Sequence, residues 1–147
     1  NKVRANAFYK LLNETPDKSV TFSFDLQQIH PLPKTPIQDA FYLRQISFYA
    51  FCCVDVKSKY PTFYTWSENQ AARGSVEIGL ALLNHLRSMN LEEVEVIRLF
   101  CDGCGKQNKN AHVIHILLYW QQNESPNEVK ELILHFPVRG HSYLPTD

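Results

Sequence analysis

The chain has 147 residues, 44% hydrophobic and 20% charged, with 15 basic and 15 acidic side chains and a formal net charge of zero. That length suits one domain able to bury roughly 70% of its unfolded surface, and the composition excludes a mainly disordered chain. A zero net charge supplies no overall basic field for nucleic acid, so any such contact must be local.

Four cysteines occur as the neighbours Cys52 and Cys53 and as Cys101-x-x-Cys104, which is neither a disulfide framework nor a standard zinc spacing. A reducing, intracellular compartment is expected. No apolar run reaches the ~20 residues of a membrane span, and the N-terminus lacks a signal-peptide pattern, so no membrane role is expected. The chain starts on Asn1 without a Met and stops abruptly on Asp147, which suggests an excised piece of a longer protein.

Ala5–Leu12 has the spacing of a short helix, ended by turn residues Asn13, Pro16 and Asp17. Ser19–Ile29 alternates Val20, Phe22 and Phe24 on one face, which predicts a strand reaching Asp25 near its far end. The proline-rich His30–Pro36 is expected to stop it. Ala40–Val56 carries Ile46, Phe48, Ala50, Cys52, Val54 and Val56 at period two, and Lys57-Ser58-Lys59 reads as a hairpin turn into a third strand, Tyr60–Trp66.

Ser75 is a candidate N-cap for a helix to about Asn90, with Glu77 at the positive end of its dipole and Ile78, Leu82, Leu83, Leu86 and Met89 as its apolar stripe. Val94–Phe100 then reads as a buried strand that delivers Asp102 at its carboxyl end, where Gly103 and Gly105 permit a sharp turn. Asn110–Gln121 spaces Val113, Ile116, Leu117 and Trp120 as a second amphipathic helix, Asn123–Asn127 ends it, and Val129–Val138 contains a fifth strand. A further helix is expected to start near Asp147. The fold class expected is α/β, with strands one to three as an antiparallel meander and helices packed on the faces of a mixed five-stranded sheet.

Ligands in open α/β sheets gather at the carboxyl ends of strands. Asp25 and Asp102 become neighbours there if the first and fourth strands pair in parallel, and Asp147 can close the set from a helix. Converging carboxylates of this kind suit two hard ions such as Mg²⁺ or Mn²⁺ spaced ~3.5–4 Å apart, an arrangement used in phosphodiester cleavage.

The strings FDLQ (24–27), FYLRQISFY (41–49), YTWSENQAARGS-x-E (64–77), CDGCGKQNKN (101–110) and FPVRGHSYLPTD (136–147) resemble sequence blocks of a transposase-derived family of animal mobile elements, similar to the DDE superfamily. The resemblance covers nearly the whole chain. It implies a single ribonuclease H-like catalytic domain over residues 1–147, a nuclear location, and metal-dependent cleavage and joining of DNA such as transposon ends, with self-association among the expected partners. Carried onto this sequence, the catalytic and metal-binding triad is Asp25, Asp102 and Asp147. The DNA-end-binding domain usual in such proteins, and the segments beyond the third acid, are not in this sequence.

Each of these residues also has a plainer reading. An Asp at a strand end is often a solvated turn residue or a helix cap. Glu68 is either an auxiliary ligand or a partner for backbone amides of its turn, and Glu77 reads as a first-turn dipole residue. His141 is either an auxiliary group that orients water or phosphate, or a turn histidine bonding a carbonyl. Arg73, Lys106, Lys109 and Arg139 form a modest basic rim for DNA phosphates, with surface solvation as the competing account.

Gly103–Asn110 resembles a phosphate loop only superficially, because the glycine spacing is wrong and Gln107 follows Lys106. Gln107 and Asn108 read as cap or loop-backbone partners. His112 and His115 lack a suitably spaced third ligand for zinc. Cys101 and Cys104 read as buried thiols flanking a turn rather than a redox pair. Two alternatives to a transposase stay open. One is a domesticated, non-catalytic module for protein or chromatin contacts; the other is a ribonuclease H-type nuclease acting on RNA–DNA hybrids.

Overall fold

A computed structural model describes residues 2–14, 16–32, 46–71, 74–101 and 111–137. The elements are α1 (Lys2–Asn13), β1 (Ser19–Leu32), β2 (Ile46–Asp55), β3 (Pro61–Ser67), α2 (Ser75–Ser88), β4 (Val96–Cys101), α3 (Ala111–Asn123) and β5 (Glu131–His135). They build one five-stranded mixed sheet in the order β3-β2-β1-β4-β5. The pairs β1–β2 and β2–β3 are antiparallel, whereas β1–β4 and β4–β5 are parallel. The α/β class, the mixed five-stranded sheet and the antiparallel meander match the sequence reading, and the first and fourth strands do pair in parallel, the condition on which Asp25 and Asp102 become neighbours.

Period-two alternation sorts the side chains between two cores. Phe22, Phe24 and Leu26 of β1, Phe51 and Cys53 of β2, and Ile97, Leu99 and Cys101 of β4 join the core formed with α2 and α3. Both helices turn their predicted stripes inward, with Ile78, Leu82 and Val113 fully buried. The helices approach closely where Gly79 of α2 meets Ile116 of α3, and a side chain at Gly79 would run into the end of Ile116. The opposite sheet face carries α1, whose Phe8 and Leu12 pack with Val56 and Phe100. Removing rings of this size from water stabilises the fold by roughly 1.5–3 kcal/mol each.

Three local expectations are corrected. β1 does not stop before His30 but runs through His30 and Pro31 to Leu32, and its register with β2 shifts between Ile29 and Leu32. A bulge is where a strand tolerates proline, because no ladder amide is required there. Gly74, not Ser75, is the N-cap of α2, in extended conformation and without a side-chain cap bond. Glu77 leans back over that terminus, so that a Cβ on Gly74 would meet its Oε2 at 2.7 Å. The predicted strand over 40–45 lies outside the described residues, and so does residue 138 of the predicted fifth strand.

The β2–β3 hairpin forms where expected, and Asp55 sets its geometry. Its Oδ1 accepts from the Ser58 N–H at 2.7 Å, and its carbonyl accepts from the Lys59 N–H at 2.8 Å. Lys59 takes a left-handed conformation, φ 60°, to complete the turn.

Candidate active site

The parallel β1–β4 ladder determines where Asp25 sits. Its register runs from Ser19 opposite Val96 to Phe24 opposite Cys101. Phe24 faces the α2/α3 core, so Asp25 turns to the other face, at the carboxyl end of the ladder. The side chain is half-buried, and its Oδ1 accepts the Leu26 N–H at 2.8 Å, which restricts the carboxylate's rotation.

Across the antiparallel pair, Asp25 lies directly opposite Cys52, which is 4% exposed. Burial pushes the Cys52 thiol up, and the charge of Asp25 pushes it further the same way. The thiol therefore stays protonated beside the carboxylate. It is a weak S–H donor rather than a metal-binding thiolate.

One layer earlier on the same face, a row crosses three strands, with Ser23 opposite Phe100 and Phe100 opposite His135. The His135 ring stacks on Phe100, centroids 4.5 Å apart at 15°. Over Phe100 also lies the guanidinium of Arg98, 5.3 Å from the ring centre. Arg98 is buried and donates to the carbonyls of Leu11 at 2.6 Å and Glu14 at 3.1 Å, holding the negative end of α1. Burial, with the nearby Arg98 charge, lowers the His135 pKa, so its ring is neutral near pH 7.

Two atoms in this row, Ser23 Oγ and His135 Nε2, are buried without a hydrogen-bond partner. Such atoms cost about 1–3 kcal/mol each and tend to collect at sites that bind polar groups.

Of the sequence-predicted residues, Asp25 and Glu68 are described. Glu68 is half-buried just beyond β3, and its N–H donates to the Ser47 carbonyl at 2.9 Å. Asp102, Asp147, His141, Arg73, Lys106, Lys109 and Arg139 lie outside the described residues. Among the described residues no group of three or more His, Cys, Asp or Glu is placed to hold a metal ion. His112 and His115 are both exposed on α3, and Cys101 is buried in the core with its thiol 3.8 Å from the His135 carbonyl. No helix among the described residues is long and apolar enough to cross a membrane.

Sequence reasoning missed Cys52, Ser23 and His135 as neighbours of the acid. Period-two spacing separates Cys52 from Phe51 and Cys53, but only the β1–β2 register shows that Cys52 faces Asp25. No protein-family model, curated protein or solved structure matches this chain.

Proposed function

We propose that the chain is the ribonuclease H-like catalytic core of a DDE-type DNA transposase, or of a protein derived from one. The observation that carries this reading is the end of the β1–β4 ladder. Phe24 and Cys101 are its last described partners, and the next residue on each strand is an aspartate, Asp25 and Asp102. In this reading the parallel register continues by one residue, which would set those two carboxylates side by side on the same face. The sheet order, with three antiparallel strands followed by two parallel ones, is the architecture that the resemblance implies.

In this reading Asp25, Asp102 and Asp147 would hold two Mg²⁺ or Mn²⁺ ions. When bound, the ions supply an activated water or 3′ hydroxyl and stabilise the leaving oxygen of a DNA phosphodiester. The chain's own part is rigidity and charge. Buried Phe24 and Cys101 anchor the strand ends, the Leu26 N–H orients one oxygen of Asp25, and the protonated Cys52 adds no second negative charge. Arg73, Lys106, Lys109 and Arg139 hold the phosphate backbone locally, as a chain with zero net charge requires.

Replacing Asp102 by Asn in the full-length protein should abolish Mg²⁺- or Mn²⁺-dependent nicking of its DNA ends. Unchanged cleavage by that variant would overturn the reading and favour a non-catalytic interaction module on the same fold. A hybrid-specific nuclease would cut RNA–DNA duplexes in preference to DNA ends.

A further inference from the structure

The two helices on the core face of the sheet, α2 and α3, end beside one another at a cavity of about 550 Å³. Its floor is apolar: Leu86, Leu91 and Trp120 are buried beneath it, and Met89 and Pro126 present its partly exposed surface. Its walls are acidic. Glu92 and Glu93 rise from the turn after α2, and Glu124 and Glu128 from the segment after α3.

The one cation among the described lining residues, Arg87, is already committed. Its Nε and one terminal nitrogen donate to the two oxygens of Glu124 at 2.7 and 2.8 Å. Three exposed carboxylates, Glu92, Glu93 and Glu128, are left without a cation among the described residues. The carboxyl ends of both helices add their negative dipole ends to the same spot. A neutral chain thus concentrates negative potential over an apolar floor at one place.

The geometry points to a docking groove for a basic protein segment, one whose aliphatic side chains sit on the partly exposed Met89 and Pro126 while flanking lysines or arginines face Glu92, Glu93 and Glu128. The volume falls in the range of sites that enclose several side chains. An acidic segment is repelled, and an uncharged one forgoes the wall. The groove lies by the entry to β4, whereas Asp25 is at the exit of that ladder. Six residues of strand, ~20 Å, separate the two ends, so the groove neither belongs to nor depends on the proposed catalytic site.

The test is fluorescence anisotropy with three labelled octapeptides and the intact chain. One carries a Leu-Leu centre between Lys-Arg pairs, the second replaces each basic residue by Glu, and the third keeps the basic residues and replaces leucine by Ser. The first should bind saturably and about tenfold more tightly than either of the others, and should weaken as salt rises.

Combining Glu92→Gln, Glu93→Gln and Glu128→Gln should weaken it about tenfold at low salt, while Glu14→Gln, an exposed acid just after α1 and outside the groove, should leave it unchanged. All four positions are exposed, so the exchanges preserve the fold, which circular dichroism verifies. Equal binding of the three peptides, no saturation, or an unaffected triple variant would overturn the proposal. Asp25→Asn should leave binding intact whether or not it abolishes DNA cleavage.

Discussion

Phe24 and Cys101 face one another as the last described partners of the parallel β1–β4 ladder, each with no exposed surface. Cys52 and Cys53 are buried nearby, and burial pushes the Cys53 thiol far above the usual thiol range. Ellman's reagent at about pH 8 should therefore leave Cys52, Cys53 and Cys101 unreacted in the native chain, and titrate all four cysteines after unfolding. Rapid reaction of two or more native thiols would show that this core is not closed.

Arg98 connects the sheet to α1, and its removal takes a charged donor from the Leu11 and Glu14 carbonyls, of which Leu11 keeps only the Glu14 N–H at 3.3 Å. Arg98→Ala should lower the unfolding free energy in urea by about 2–4 kcal/mol, from lost charge-assisted bonds and lost packing against Phe100. Arg98→Lys should recover only part, because an ammonium cannot reproduce the planar fork. A loss below about 0.5 kcal/mol would mean that α1 is held by Phe8 and Leu12 alone.

The Gly79–Ile116 contact sets the spacing of α2 and α3. Alanine normally gains about 1 kcal/mol over glycine inside a helix, but here its methyl must displace the end of Ile116. Gly79→Ala alone should therefore fail to stabilise, and should do so by about 1 kcal/mol in an Ile116→Ala background. A double-mutant cycle in thermal or urea unfolding measures that coupling, and strict additivity would contradict the contact.

The sheet was legible because the first two strands repeat apolar residues at period two, the fourth is a continuous apolar run, and the two later helices space apolar residues at three and four. Parallel pairing of β1 with β4 was only a condition in the sequence and is given by the sheet. What was not legible depends on contacts distant in sequence. Arg98 sits in the apolar run VIRLFC, and nothing local says that its partners lie 84 and 87 residues earlier. His135 appears on an edge strand, yet it is aligned with Ser23 through Phe100. The candidate site was legible as acids at strand ends, whereas its Cys52 neighbour required the register. The acidic groove escaped notice because its carboxylates come from two turns, each resembling an ordinary solvated loop.

Two histidines make stability depend on pH. Burial lowers the pKa of His85, against a smaller opposing effect of Asp55, and burial with Arg98 lowers that of His135. Below the unfolded value of about 6.5 the unfolded chain binds protons that the folded chain refuses. The histidine contribution is thus fully present above pH 6.5 and is lost as pH falls through the lowered folded values. Thermal midpoints should drop between about pH 7 and pH 5, and His85→Gln should flatten part of that slope while also losing the 3.3 Å contact with the Tyr64 hydroxyl. Midpoints that rise over the same interval would contradict buried, neutral imidazoles.

The most direct measurement for the proposed function is a crystal of the chain soaked in Mn²⁺ and imaged by anomalous scattering. One or two ions should appear between Asp25, Asp102 and Asp147, with the ion positions lost in the Asp25→Asn variant. Carboxylates of Asp25 and Asp102 standing more than about 8 Å apart, with no ion between them, could not share two metals and would contradict the account.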